Sequence, residues 1–268
     1  MRNPEKSHGG EALNEGGGIL RGSVVYLVLV VLTRFRLLGA TASFVVTVAK
    51  RFFIDQFGYK LRPGTVPLRN VEHKLDEGIP VRYETAGLYL TFVQLWISAL
   101  SYLRRRLGRG FDDDIVDFLG GLQRCYLDAS SVYGQCLSTT RRPDRAPCPR
   151  LAFVYAVDPH LFCVPSLHVL VVCYSYWKIG ELLRARGADA EFAPELAALR
   201  ARAVAITESI LYVRQHSVNC IPTALAMLSV ILPGYDEAEA KAFLSELFAG
   251  EDEIPHEASL GLYSDTWS

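Results

Sequence analysis

Cys163-Val164-Pro165-Ser166-Leu167-His168 opens the stretch that decides how this chain is read, and Ser209-Ile210-Leu211-Tyr212-Val213-Arg214-Gln215-His216 closes it shortly before Cys220. Between the two lie the apolar segment Val169 to Leu183 and an Arg-rich link. A segment that leaves His168 and a segment that arrives at His216 run antiparallel, which sets both imidazoles at one level of a helical bundle. Histidine readily takes intermediate burial, so a single ring beside an apolar helix reads first as a packing residue. Two rings at matching helix ends, with Arg214 close in sequence, read as a site.

Working outward, the 268 residues are 50% hydrophobic, enough for one domain with a sizeable core and too few for a second independent one. A formal net charge of −1 gives no reason to expect a nucleic-acid partner. Cys125, Cys136, Cys148, Cys163, Cys173 and Cys220 form no C-x-x-C pair and no zinc spacing, and most read as small buried apolar residues. A Cys148 to Cys163 bridge is an alternative that needs an oxidising compartment.

The apolar segments predict an all-α, multi-span transmembrane bundle. A span needs about 20 mainly apolar residues. Ala86 to Leu103, His168 to Leu183 and Ser217 to Leu232 are the candidates, and buried helices of a soluble all-α protein are the alternative, because two of the three are short. Arg104-Arg105-Arg106, with Arg184 and Arg186, marks one end as cytoplasmic, which puts His168 and His216 on the outer face of an integral membrane protein.

In chain order, Met1 to Gly18 is polar, Gly-rich and expected to be disordered, without a convincing cleavable signal. Ile19 to Ala49 is apolar but carries Arg34 and Arg36, so it reads as one span ending near Leu32 or as two helices joined at Thr33 to Arg36. Lys50 to Glu84 reads as a charged connection with short helices. Asp112-Asp113-Asp114 suits the first turn of a helix better than a metal cluster. The helix from Ile115 to about Leu137 is too polar for lipid on all sides. Cys148 to Pro165 reads as a loop with an apolar patch, Leu151 to Val157, and its Asp158 and His160, with His168 beyond it, offer a metal reading against a simple turn. Arg184 to Arg202 reads as a basic link with a helical stretch. The bundle is expected over residues 19 to 234, followed by an amphipathic helix from Asp236 to Phe248 and an acidic tail from Glu251.

Three motifs give the chain a resemblance. Arg142-Pro143, Pro165-Ser166-Leu167-His168, and Ser209 with His216 resemble the K-x6-R-P, P-S-G-H and S-R-x5-H-x3-D motifs of the type 2 phosphatidic acid phosphatase and vanadium haloperoxidase superfamily. The match covers about residues 130 to 232, with 21 residues between Pro143 and Pro165 and 40 between His168 and Ser209. Leu167 in place of Gly resembles the branch containing inositol phosphorylceramide synthase. The family Lys falls on Gln135, its Arg on Ile210 and its Asp on Cys220. On a helix, Ile210 and Arg214 share a face, so Arg214 is expected to replace the missing Arg, and Asn219 is expected to accept from His216 in place of the Asp.

The resemblance implies His216 as nucleophile and His168 as the acid for the leaving alcohol. Ser166, Arg142 and Arg214 are implied as the phosphate holders, aided by a helix N-terminus. The scheme calls for no cofactor and no metal. Its substrate would be a lipid phosphate, with water or an alcohol as acceptor. A binder of lipid phosphate that has lost catalysis is the alternative, given the missing Asp and cations.

Overall fold

Ser23 starts the first helix because its hydroxyl accepts the N–H of Tyr26 at 3.3 Å, relieving one of the donors that a helix start leaves open. The structure, a computed structural model, describes residues 16 to 251; the expected disorder of residues 1 to 15 and the tail beyond 251 lie outside the described residues. Gly16–Arg21 forms a 3-10 turn, so residues 16 to 18, expected to be disordered, are part of a regular element.

Helix α1 (Val24–Leu32) ends at Thr33, and α2 (Phe35–Val48) begins beyond Arg34, the two-helix alternative for this region. Helix α2 runs on through a π-helical turn (Ala49–Ile54) into α3 (Asp55–Leu61). The expected loop from Lys50 is thus helical as far as Leu61. Its charges are accommodated locally, since Arg51 pairs with Asp55 one turn on at 3.5 Å, and buried Gln56 accepts the N–H of Leu161 at 3.0 Å. A short strand β1 (Leu68–Asn70) follows, then 3-10 turns at Lys74–Gly78 and Tyr83–Thr85.

The remaining helices are α4 (Ala86–Tyr89), α5 (Phe92–Leu107), α6 (Asp112–Tyr133), α7 (Pro149–Val157), α8 (Leu167–Ala185), α9 (Ala193–Tyr212), α10 (Cys220–Ile231) and α11 (Glu237–Glu246). Strand β2 (Leu137–Thr139) lies between α6 and α7 and pairs in parallel with β1, Leu68 opposite Leu137. About 70% of the chain is helical, so the fold is all-α. Helix α7 corrects the expected loop over Cys148 to Pro165: Pro149 occupies its first turn, where a missing N–H costs nothing.

Helix α8 is the axis of the molecule and packs on α5, α6, α9 and α10. Val169 to Tyr176 are buried without interruption, as a helix that is apolar all round requires. Tyr174 donates to the Phe118 carbonyl at 2.8 Å, and Gly121 makes room for its ring, since an added Cβ would sit 2.2 Å from the hydroxyl. Gly22 performs the same service before α1, where a Cβ would lie 1.9 Å from the Ser98 carbonyl oxygen of α5.

The three aspartates at the start of α6 each meet an arginine. Asp112 pairs with Arg104 and Arg34, Asp113 with Arg36 at 2.5 Å, and Asp114 with Arg186. The helix-start reading holds, and Arg34 and Arg36, costly in lipid, are neutralised at one end of the bundle. At the C-terminal side Asp236 caps α11, whose Ala240, Phe243 and Leu244 are buried as its amphipathic pattern requires.

Among the described residues two helical stretches are long and apolar enough to cross a membrane, Phe35–Leu61 and Tyr83–Tyr133, the second containing Ala86 to Leu103. The expected spans His168 to Leu183 and Ser217 to Leu232 do not reach that standard: α8 is long enough but carries Lys178, Glu181 and Arg184, and α10 is short.

Candidate functional site

The small sheet is what places the site. Ser138 of β2 donates its N–H to the Leu161 carbonyl at 3.0 Å, and its hydroxyl accepts the Val164 N–H at 2.7 Å. The loop of residues 158 to 166, which precedes α8, is thereby tied beside β2. Tyr133 at the end of α6 stacks on Phe162 with ring centres 4.1 Å apart and donates to the Pro165 carbonyl at 2.5 Å. The chain then enters α8 with Ser166 as its N-cap, the hydroxyl accepting from the Val169 N–H at 3.4 Å.

On the other side, α9 stops at Tyr212 instead of carrying Arg214 along its face. Arg214 takes a left-handed backbone conformation, φ 54°, and its guanidinium donates to the carbonyls of Asp76 and of Ile79, the latter at 2.8 Å. Asp76 in turn accepts the Val218 N–H at 2.9 Å, and the Asn219 amide donates to the Val71 carbonyl at 3.1 Å. The loop of residues 213 to 219 is thus clamped onto the segment of residues 71 to 79. Arg214 does not stand in for the missing arginine, because the helix that would have aligned it with Ile210 has ended. Asn219 does not orient His216 either: the His216 Nδ1 meets the Cys163 carbonyl instead, while the Asn219 NH2 group reaches Val71.

His168 and His216 do come together, with ring centres 5.5 Å apart at an interplanar angle of 66°. They share a small cavity of about 20 Å³, walled also by Phe52, Asp158, His160, Phe162, Cys163 and Leu167. His168 lies between aromatic rings, 4.4 Å from the centre of Tyr89 and 4.2 Å from that of Phe92. His216 Nδ1 is 3.3 Å from the Cys163 carbonyl oxygen. A carbonyl only accepts, so Nδ1 carries the proton and Nε2 keeps its lone pair. The ring is surrounded by protein, and burial drives its pKa down to about 4, with the Cys163 carbonyl opposing and the charge of Arg142 adding to the drop. His216 is therefore neutral at physiological pH.

Arg142 follows β2 by three residues and reaches the same region. Its guanidinium is bonded to Asp158, to the carboxylate at 2.9 Å and to the carbonyl at 3.0 Å, and it lies 4.7 Å from the centre of the Tyr155 ring. Its Nε is buried with no hydrogen-bond partner among the described residues. Ser166 is buried at the helix cap and is not among the residues that wall the cavity. Its contribution to the site is the helix start, whose Leu167 and His168 face the cavity and whose first N–H groups favour an anion.

The structure adds His160, only 7% exposed, whose Nε2 lies 2.8 Å from the Thr140 hydroxyl and whose N–H is accepted by Asp158 at 2.8 Å. Burial, with Arg142 and His216 adding to it, takes its pKa down to about 2. His160 stands out in the sequence only as a metal candidate, whereas Phe52, from the π-helical turn, is not singled out there at all. The metal reading of Asp158, His160 and His168 finds no ligand set: among the described residues no three His, Cys, Asp or Glu side chains are grouped to hold an ion. Cys148 and Cys163 are free thiols.

Comparison of the chain with family models, curated proteins and solved structures gives no match.

Proposed function

We propose that this chain is a membrane-embedded phosphoesterase that acts on a lipid phosphate through a phosphohistidine on His216. The observation that carries the reading is the pair of imidazoles 5.5 Å apart, one of them held with a free Nε2 by the Cys163 carbonyl. The motif resemblance supports it, as does Arg142, whose charge is felt at His216.

In the proposed reaction the His216 Nε2 lone pair forms a bond to phosphorus as the bond to the leaving alcohol oxygen breaks. His168 gives that oxygen its proton; burial and the neighbouring His216 hold its pKa well below the usual 6.5, so it becomes imidazolium only as the negative phosphate enters beside it, with the π faces of Tyr89 and Phe92 adding a smaller gain. Arg142 and the N-terminus of α8 neutralise the equatorial oxygens. Water then attacks phosphorus, its proton passes to His168, and the P–N bond breaks to release phosphate and neutral His216. An alcohol in place of water makes the same site a head-group transferase.

Membrane residence is supported by the two long apolar helical stretches and by a stripe of exposed apolar side chains along one of them: Phe35, Leu38, Val45, Val46, Phe53, Ile54 and Leu61. The arginine and aspartate cluster at the start of α6 lies at the opposite end of α8 from His168. That separation supports a cytoplasmic arginine end and an outer histidine end.

Acid-labile labelling tests the proposal. Purified protein given a radiolabelled lipid phosphate should trap phosphohistidine in the wild type and none in His216→Ala, with turnover abolished in the variant. One observation favours a second reading, a binder without turnover: a cavity of about 20 Å³ admits a water molecule but no phosphate until its wall moves. Tight binding of lipid phosphate with no label on any histidine would establish that reading instead.

A further inference from the structure

Beside the histidine cavity, and separated from it by one ion pair, lies a much larger cleft of about 600 Å³ between residues 72 to 77 and residues 141 to 143, with Arg214 at its side. Arg142 faces the cleft and its partner Asp158 faces the histidines, so their pair forms the partition.

The charges of the cleft are unevenly engaged. Glu72 accepts the Arg141 N–H at 2.9 Å and the Asn70 amide at 2.9 Å, which hold its carboxyl below the usual range. Both oxygens of Asp76 are likewise taken, by the N–H groups of His73 and Val218. Glu77 alone of the lining acids has no such donor among the described residues. The cations are the reverse case. Neither Lys74 nor the Arg141 guanidinium has a hydrogen bond or ion pair among the described residues. Arg214 is hydrogen-bonded only to carbonyl oxygens, with Glu72 near enough to feel its charge but making no ion pair with it, and the Arg142 Nε is buried without an acceptor among the described residues.

We propose that this cleft is an anion-binding site in which Lys74 and Arg141, backed by Arg214, take a phosphate or carboxylate group and deliver it to Arg142. The charge-assisted hydrogen bonds that such a group brings are what these donors lack. Capture of the anion is independent of the phosphoryl-transfer reading, because the cleft lies outside the histidine cavity and needs no reaction at His216; only the fate of the anion beyond Arg142 rests on that reading.

Calorimetric titration of the detergent-solubilised full chain with glycerol 3-phosphate and with dioctanoyl phosphatidic acid tests it. Wild type and His216→Ala should bind alike, with affinity falling as salt is raised. The Lys74→Ala/Arg141→Ala double variant should bind about tenfold more weakly or worse, as loss of two charge-assisted hydrogen bonds requires. Both residues are exposed, so the variant should fold. Binding of both probes with that dependence would mean that the site takes a free anion, and binding of the lipid alone would mean that the anion arrives on a head group. Either supports the site. Binding lost in His216→Ala but unchanged in the double variant would put the anion among the histidines and overturn the cleft while leaving phosphoryl transfer intact. Absence of binding to wild type would overturn it as well. Failure of the phosphoryl-transfer reading would appear separately, as undiminished turnover by His216→Ala.

Discussion

The Arg142 guanidinium is held 2.9 Å from the Asp158 carboxylate, and that contact is the boundary between the histidine cavity and the outer cleft. In the proposed reaction a phosphate that reaches His216 would compete with Asp158 for the same donors. Asp158→Asn keeps an oxygen for the His160 N–H but removes the competing charge, so affinity for a phosphate monoester should rise several-fold. Arg142→Ala should act in the opposite direction and lower kcat/KM about 10²–10³-fold, the usual scale for a lost transition-state donor. Equilibrium binding and steady-state kinetics on the two variants check the pair. Equal weakening in both would mean that Asp158 positions Arg142 more than it competes.

In the proposed reaction His168 would make a separable contribution. A general acid matters in proportion to how poor the leaving group is, typically about 10²–10⁴-fold for an alcohol. His168→Asn should lose that much with a lipid phosphate and far less with p-nitrophenyl phosphate, whose leaving group needs no proton. A uniform loss on both substrates would assign His168 to packing between Tyr89 and Phe92.

Stability should depend on pH through the buried imidazoles, His216 and His160 among them. His216 and His160 have pKa values lowered to about 4 and about 2, from an ordinary 6.5, so the unfolded chain takes up protons that the folded protein refuses. The stability these neutral rings contribute is complete above pH 6.5 and is lost as pH falls toward 4 for His216 and toward 2 for His160. Each contributes a slope of about 1.4 kcal/mol per pH unit in that range. Thermal melts between pH 7.5 and 5 should show a falling Tm, with a shallower fall in His160→Gln. An unchanged slope would show that His160 is already charged in the folded protein.

Access to the cavity should depend on Phe52. It walls the space around His168 and His216 from a π-helical turn, an irregularity often found at functional sites, while its neighbours Phe53 and Ile54 are exposed. Phe52→Ala should speed carbethoxylation of His216 by diethyl pyrocarbonate, followed by mass spectrometry. Phe53→Ala should leave the rate as in the wild type.

How much of this is legible in the residues differs from place to place. The meeting of His168 and His216 follows from two antiparallel helix ends, and that geometry survives any uncertainty in where each helix begins. The position of Arg214 does not survive it, because alignment with Ile210 requires α9 to run past Tyr212, and no glycine or proline marks its end. Helix α7 has a start signal in Pro149, but the apolar patch behind it is too short to separate a helix from a loop by pattern alone. Strands β1 and β2 are three residues each and find one another across the whole of α4 to α6, a pairing that no local pattern encodes. Arg142 stands out through its spacing to Pro165, whereas its partner Asp158 precedes a proline and so carries the signature of a turn.

Close approach at Gly22 gives a test of the fold that does not involve the site. The chain before α1 touches α5 at Ser98, and the Ser101 hydroxyl donates to the Ser23 carbonyl at 2.7 Å, so the two segments are held in register. A methyl group at Gly22 would lie 1.9 Å from the Ser98 carbonyl oxygen, which is backbone within a helix and cannot rotate aside. Gly22→Ala should therefore push the α1 entrance away from α5 and cost ~1–3 kcal/mol, the range for overpacking a filled contact. The measurement is Tm in detergent, expected to fall by several degrees. Gly39→Ala is the control, because an added Cβ there meets nothing within 4 Å and alanine favours the helix. A Tm lowered equally by both would mean that α1 and α5 are not in contact at Ser98.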